Sequence, residues 1–262
     1  MKKILFSDMD GTIIQMNEMR HIHDREMLNE LKKQGHMVVF NTGRNFQEAL
    51  YCIEKHQFPY DYLSLNNGAH IVNHEGKEIF KKVIPQDIGR KIIEYAMALE
   101  DVYVFFFDGH RTIGYCNGKT YEHSDSGFVE VFDICFVEEY KKANDYDIIA
   151  VHQVDEQVDK IILVKQYIED HYSHWAMGTM NTHYLDINAP GCSKGHSITT
   201  LKELLGEDVE TYSVGDSYND ISMFEIAQHS YTFHHVDEEI SKHADKQVHY
   251  VYEVVEDMLR EE

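Results

Sequence analysis

The feature that most constrains the fold is the stretch Lys2 to Ile14, KKILFSDMDGTII, in which apolar Ile4, Leu5 and Phe6 give way abruptly to Asp8, Met9, Asp10, Gly11 and Thr12. A strand buried on both faces reads as a continuous apolar run. It delivers polar groups at its carboxyl end, where doubly wound α/β sheets gather their ligands. Side chains alternate along a strand, so Asp8 and Asp10 are expected on the same side, with Gly11 letting the chain turn beside them. Two carboxylates in one crevice call for a cation or a shared proton. The same letters also fit a strand followed by an acidic turn, since Asp-Gly is a turn signal.

The design then repeats. Asp24 to Gln34 reads as a helix with Asp24 as N-cap, Met27, Leu28 and Leu31 facing inward and Gly35 at its end. Met37 to Phe40 is a second apolar strand, ending in Asn41-Thr42-Gly43-Arg44 before Asn45 and Glu48 open a helix as a capping-box-like pair. A threonine hydroxyl and a glycine amide beside a helix N-terminus make an anion seat, and they equally make an ordinary capped βα turn. Tyr62 to Leu65 supplies a third strand, followed by Asn66-Asn67-Gly68 and a hairpin-like stretch, Ala69 to Phe80.

From Pro85 the pattern changes. A helix over Gln86–Leu99, a very aromatic strand over Val102–Phe107, turns at Asp108-Gly109 and Asn117-Gly118, and mixed segments including Ile148–Val151 and Lys160–Lys165 read as a separate α/β unit. The run Phe105-Phe106-Phe107 is expected in its core, under a helix, rather than lining a substrate site. The first pattern resumes at Tyr184–Ile187, followed by Asn188 to Gly195 and a helix over Ser197–Leu205. Val209–Val214 then runs into Gly215-Asp216-Ser217-Tyr218-Asn219-Asp220. Further strands at Ser230–Phe233 and Gln247–Val251, with helices at Glu238–Ala244 and Tyr252–Leu259, would give the main sheet about six strands.

Composition narrows the function. With 262 residues and 43% hydrophobic content the chain can bury one large core or two moderate ones. A net charge of −22 argues against nucleic acid or an anionic membrane as partner and favours small substrates. The four cysteines show no CxxC spacing and are too sparse for a disulfide framework, which fits a reducing compartment. The opening MKKILFSD is too short and too soon acidic for a signal peptide, and no apolar run reaches membrane-spanning length, so a cytoplasmic protein is expected. The pairs His21/His23 and His234/His235 have no HExxH or Cys/His array beside them and are read as solvated surface.

Taken in order, Asp8-Met9-Asp10-Gly11-Thr12, Thr42-Gly43-Arg44, Lys194 and Gly215 to Asp220 resemble the four motifs of the haloacid dehalogenase-like (HAD) phosphatases, most of all the Cof-type hydrolases with a large cap. The resemblance implies a Rossmann-like α/β core with a doubly wound parallel sheet. Residues 1–84 and 186–262 would form the core, and an α/β cap, 85–185, would be inserted after the second motif to set substrate specificity. It implies an Mg2+-dependent phosphatase acting on small phosphomonoesters such as sugar or cofactor phosphates. Asp8 would be the nucleophile that carries the phosphoryl group, and Asp10 the acid and then the base. Thr42, Gly43, Arg44, Lys194 and Asn219 would bind phosphate or substrate. Asp8, Asp10, Asp216 and Asp220 would make up the metal site, with Asp10 contributing its carbonyl and Asp220 support. No membrane or nucleic acid partner is implied, and a monomer or a homodimer would serve. Where relatives often carry a glycine- and methionine-containing loop after the fourth motif, this chain has Ser230-Tyr231-Thr232-Phe233-His234-His235.

Two other readings share these residues. A sugar phosphomutase of the same fold could carry all four motifs. A phosphorylatable receiver-like module would also place carboxylates and a lysine around an aspartate, but it has no use for a hundred inserted residues or for Asp10.

Overall fold

A computed structural model describes residues 1–14, 18–109, 111–124, 127–206 and 208–260. The chain divides into two compact units, Met1–Lys81 with Cys192–Glu262, and Lys82–Gly191. In order, the first segment supplies β1 (Lys2–Ser7), α1 (Glu18–Lys33), β2 (Met37–Asn41), α2 (Phe46–His56), β3 (Tyr62–Leu65), β4 (His70–Asn73) and β5 (Glu78–Lys81). The inserted segment supplies β6 (Ile84–Pro85), α3 (Gln86–Met97), β7 (Val102–Phe107), β8 (Thr112–Cys116), β9 (Lys119–Ser124), β10 (Gly127–Val131), α4 (Phe136–Lys142), β11 (Asp145–Tyr146), β12 (Ile148–Gln153), α5 (Asp159–Tyr172), β13 (Met177–Asn181) and β14 (Tyr184–Asn188). The chain then returns with α6 (Lys194–Leu205), β15 (Val209–Val214), α7 (Ile221–Phe224), β16 (His229–Phe233), α8 (Glu238–Ser241), β17 (Lys246–Val248) and α9 (Val251–Arg260).

Among the described residues the first unit holds one eight-stranded sheet in the order β17-β16-β15-β1-β2-β3-β4-β5. The six strands from β17 to β3 run parallel, and β4 and β5 add an antiparallel edge. The sequence expected about six strands. The extra two come from the hairpin-like stretch, which joins the sheet rather than lying outside it. Because residues alternate, Leu5, Val38 and Phe40 pack with Leu28, Leu31, Ala49, Val254 and Met258 on the α1, α2 and α9 side. Ile4, Phe6 and Val39 pack with Ile198, Leu201, Met223 and Ile240 on the other. Each such side chain contributes about 1.5–3 kcal/mol by leaving water, which is why the strands read as unbroken apolar runs. The chain winds one way from β1 to β3 and the other way from β15 to β17. The switch point therefore lies between β1 and β15, whose carboxyl ends border the crevice.

Helix α1 begins six residues before Asp24, so Asp24 does not cap it. The buried Asp24 carboxylate instead accepts from the backbone N–H of Tyr252 at the start of α9 (2.9 Å). Lys3 Nζ donates to the Met258 carbonyl near the other end of that helix (2.5 Å).

In the second unit the order is β10-β9-β8-β7-β12-β14-β13, with every pairing antiparallel. The strand Tyr184–Asn188, read from the sequence as a return to the main sheet, pairs here with β12 and β13. The unit accordingly runs to Gly191 and opens at Lys82, a few residues outside the boundaries expected at 85 and 185. Lys160–Lys165 lies inside helix α5. Helices α3, α4 and α5 cover one face of this sheet, over Val104, Phe106, Ile149, Val151 and Leu185. The opposite face is aromatic. Tyr103 stacks on Phe105 (5.7 Å) and His152 on Tyr184 (4.5 Å), and Phe105 meets Phe128 at a tilt (4.1 Å). Phe105, Phe106 and Phe107 are all buried, as expected, but alternation sends Phe106 to the helical side and Phe105 to the aromatic one.

Candidate active site

The first unit gathers its polar side chains at the carboxyl ends of the parallel strands. Directly after β1, Asp8 is 4% exposed and hydrogen-bonds through its backbone N–H to the Val214 carbonyl of β15 (2.9 Å). Met9 points the other way into the core, anchoring the turn that carries Asp8 and Asp10. That turn closes on itself through Ile14 N–H to the Met9 carbonyl (2.7 Å) and Gly11 N–H to the Ile14 carbonyl (3.1 Å).

Lys194 begins α6 and is 1% exposed. Its ammonium donates to Asp8 Oδ1 and to Asp220 Oδ1, both at 2.6 Å. The start of the helix is fixed by Ser193, whose hydroxyl accepts from His196 N–H, and by Asn41 Nδ2, which donates to the Lys194 carbonyl (2.8 Å). Asp220 has its second oxygen engaged as well, accepting the N–H groups of Asp216 and Ser217 at 2.9 Å each. Asp216 accepts from the Thr12 hydroxyl (2.7 Å). A Cβ on Gly11, whose φ is +78°, would come within 2.3 Å of Asp216 Oδ2, so only glycine lets the two loops meet.

One oxygen each from Asp8, Asp216 and Asp220 lies within 4.8 Å of the others. Three carboxylates in a dry crevice against a single ammonium leave excess negative charge. Burial, with Asp220 and Asp216 alongside, raises the Asp8 carboxyl well above the usual range despite Lys194. Burial and then Asp220 raise Asp216, against the Thr12 hydroxyl. Burial disfavours the Lys194 ammonium, yet Asp220 and Asp8 outweigh it and hold its pKa above the ordinary lysine value. The donors are all hard oxygens of negative charge, a set that fits a divalent cation such as magnesium.

Asp10 stands apart from these three. Its side chain is 56% exposed, and both its oxygens are taken by Arg44, through Nε at 2.7 Å and Nη2 at 2.6 Å. The resemblance put all four carboxylates in one metal site and gave Arg44 to the substrate, whereas here Arg44 neutralises the fourth. Thr42 is buried, with its hydroxyl accepting from Arg44 N–H (3.2 Å), and Gly43 lies between them. Asn45 and Glu48 form the expected capping box on α2. Asn219 is buried, accepting from the Ser217 hydroxyl (2.7 Å) and donating to Asn67 Oδ1 (3.2 Å). Sequence reasoning singled out neither Thr12 nor Asn67 for a role. The Asn-Asn-Gly signal was visible, but only as a turn.

Of the histidine pairs, His234 lies against His249 (4.4 Å) with Nδ1 at 3.1 Å from Gln247, and His23 meets Tyr252 edge-on. The side chain of His21 lies outside the described residues. Among the described residues Asp8, Asp216 and Asp220 form the one cluster of metal-ligating groups, and no helix is long and apolar enough to cross a membrane.

The family model of the haloacid dehalogenase-like hydrolases matches residues 5–255. The chain belongs to that family. It is 21% identical over 250 residues to the 5-amino-6-(5-phospho-D-ribitylamino)uracil phosphatase YwtE of Bacillus subtilis, across 87% of this chain and 86% of that one. It is 22% identical over 234 residues to the HMP-PP phosphatase of Cronobacter sakazakii, across 84% and 79%. Among solved structures, the HAD subclass IIB sugar phosphatase BT4131 superposes with a TM-score of 0.75 at 20% identity, across 99% of this chain and 98% of that one. The chain is accordingly an enzyme, a phosphatase of small phosphate compounds.

Proposed function

We propose that the chain hydrolyses small phosphomonoesters, sugar or cofactor phosphates, with magnesium bound and through a phosphoryl group carried on Asp8. The observation that carries this reading is the cluster Asp8, Asp216 and Asp220 at the crevice, in which the buried Asp8 and Asp220 both pair with Lys194. Asp8 attacks phosphorus in line and forms an acyl phosphate while the P–O bond to the leaving alkoxide breaks. Asp10 gives its proton to that oxygen. It then takes one from the water that attacks the acyl phosphate, releasing inorganic phosphate and restoring Asp8. Held by Asp8, Asp216 and the Asp10 carbonyl, magnesium would supply positive charge against the phosphoryl oxygens.

Thr42 and the Gly43 amide hold phosphoryl oxygens, and Lys194 meets them with a charge fixed by Asp220. Since Arg44 occupies both oxygens of Asp10, it has to release that carboxylate before Asp10 can act, which frees its guanidinium for the substrate. The unit Lys82–Gly191 is read as the specificity domain of the capped subclass, and the names of YwtE and of the HMP-PP phosphatase support substrates of cofactor type.

The test is phosphate release from a panel of sugar and cofactor monophosphates, with magnesium and with excess EDTA. Release that stops on chelation and returns with added magnesium is expected. Full turnover in EDTA removes the metal from the reading, and interconversion of sugar phosphates without free phosphate makes the enzyme a mutase.

A further inference from the structure

Between β3 and β4 the chain makes a turn that an ordinary hairpin does not require. Asn66, Asn67 and Gly68 have φ of +50°, +52° and +86°, so three successive residues lie in the left-handed region, two of them with side chains. For the two asparagines such a conformation is strained, and it persists where surroundings enforce it. The turn is also buried, with Asn66 at 0% and Asn67 at 4% exposure, whereas hairpin tips normally face water.

Its contacts lead to three separate loops of the crevice. Asn66 N–H donates to the Arg44 carbonyl and Asn67 N–H to the Thr42 carbonyl, each at 3.0 Å, so the turn supports the Thr42–Arg44 loop from below. Asn67 Oδ1 accepts from Asn219 Nδ2 and lies 3.3 Å from where a Cβ on Gly43 would sit. A Cβ on Gly68 would come within 2.4 Å of the carbonyl of Ser193, the residue before Lys194. Loops that follow β2, precede α6 and follow β15 thus meet on three adjacent residues.

We infer that Asn67 is a positioning residue. Its left-handed backbone sets the height of the Thr42–Arg44 loop, and its side-chain oxygen fixes Asn219 against that loop, so that groups from different strands keep the spacing of one phosphoryl group. Asparagine serves because it tolerates the left-handed region and carries an acceptor. The inference rests on the proposed phosphoryl chemistry, so its test reads ligand binding apart from turnover.

Orthovanadate with magnesium is the probe, its dissociation constant measured for the wild type, Asn67→Gly, Asn219→Ala and the double variant. Asn67→Gly keeps the turn and removes the amide. It should melt near the wild type and bind vanadate at least about tenfold more weakly. The double variant should lose no more than the worse single one, because both changes break one link. Asn67→Asp is isosteric and equally tolerant of the turn, so it keeps the question open to test should the glycine variant not fold. It places a charge beside Gly43 and should weaken vanadate binding in a way that added salt partly restores. Wild-type affinity in either variant, or losses that multiply in the double one, overturns the inference. A wild type that binds vanadate but releases no phosphate from any ester overturns the proposed function and leaves the inference standing. A wild type that binds no vanadate overturns both.

Discussion

The two units place their charges in opposite ways. In the first, Lys194, Asp8 and Asp220 are 1%, 4% and 0% exposed and meet at the ends of parallel strands, so the fold tolerates excess negative charge in a dry crevice. In the second, ion pairs such as Arg111–Glu139 and Lys119–Glu130 sit at the surface, the helix-covered face of the sheet holds aliphatic and aromatic side chains, and the buried carboxylates Asp147 and Asp186 join no cluster of metal-ligating groups among the described residues. A parallel sheet wound from both sides buries both faces and leaves its strand ends as the natural place for polar groups. An antiparallel sheet with helices on one face needs no such seam. The difference marks the first unit as the place where stability has been given up for chemistry.

The contrast is broken or sharpened by four measurements. The largest effect is expected at Asp8. Asp8→Asn should lower kcat/KM by at least about a thousandfold, by removing the proposed nucleophile where the neighbouring carboxylates are already engaged, Asp216 by Thr12 and Asp220 by Lys194 and two backbone N–H groups. The same change relieves buried like charge, so the metal-free variant should melt above the wild type at neutral pH. A thousandfold loss from any single aromatic of the second unit, Tyr103 or Tyr184 for instance, would erase the distinction. Next comes Lys194→Met, which leaves two buried carboxylates without their cation and should cost roughly 3–5 kcal/mol in urea unfolding. The matching change at Arg111, whose side chain is 40% exposed, should cost less than about 1 kcal/mol because water screens its pairs. Equal costs would show that burial does not separate the two kinds of ion pair.

The third measurement is the pH dependence of melting. The folded, metal-free chain holds a proton on Asp8 more tightly than the unfolded chain does, since burial raises that carboxyl. This stabilisation is complete below the ordinary carboxylate pKa and is lost as pH rises through the raised value. Melting temperature in EDTA should therefore fall with rising pH over that window, and added magnesium should flatten the slope. A rise over the same window would mean that Lys194 outweighs burial. The smallest effect is expected from the second unit's field. Its segment Pro85–Leu185 carries 18 acidic and 8 basic side chains, so a sugar bisphosphate should be hydrolysed a few-fold less well than the monophosphate, with the gap narrowing as salt is added. A bisphosphate preference at low salt would mean that particular basic contacts govern selectivity.

What could be read from the sequence was what is local. The apolar run ending in Asp8 and Asp10, the Thr42-Gly43-Arg44 turn with its Asn45/Glu48 box and the Gly215–Asp220 loop each declare themselves within a few residues, and the structure puts all three at strand ends. What escaped depends on partners far along the chain. Alternation in Tyr184–Asn188 marks a strand but cannot say which sheet it joins. Ile161 to Val164 is an apolar run without a period, which fits a helix as well as anything extended. Asp24 resembled a cap for its own helix because nothing nearby points to Tyr252, and Arg44 resembled a free cation because its partner is Asp10, on another loop. The role of Asn67 was hidden for the same reason, since an Asn-Asn-Gly turn gives no sign of the three loops that converge on it.

The seating of α9 bears on the order in which the chain assembles as it is made. β1 is flanked by β2 and β15, and its register with β15 joins Lys2 to Val209, on the far side of the whole Lys82–Gly191 segment. The helix that Asp24 and Lys3 hold at its two ends emerges later still. While the ribosome works through the insert, β1 to β5 can pair among themselves, but one edge of β1 stays open and the Leu5 and Val38 side of the sheet lacks part of its cover. The seven strands of the second sheet come from one uninterrupted stretch and can close as soon as Asn188 is out. The part of the molecule that begins first is therefore completed last, and a nascent chain stopped short of Val251 has made every strand of the first sheet but lacks the helix that covers its Leu5 and Val38 side.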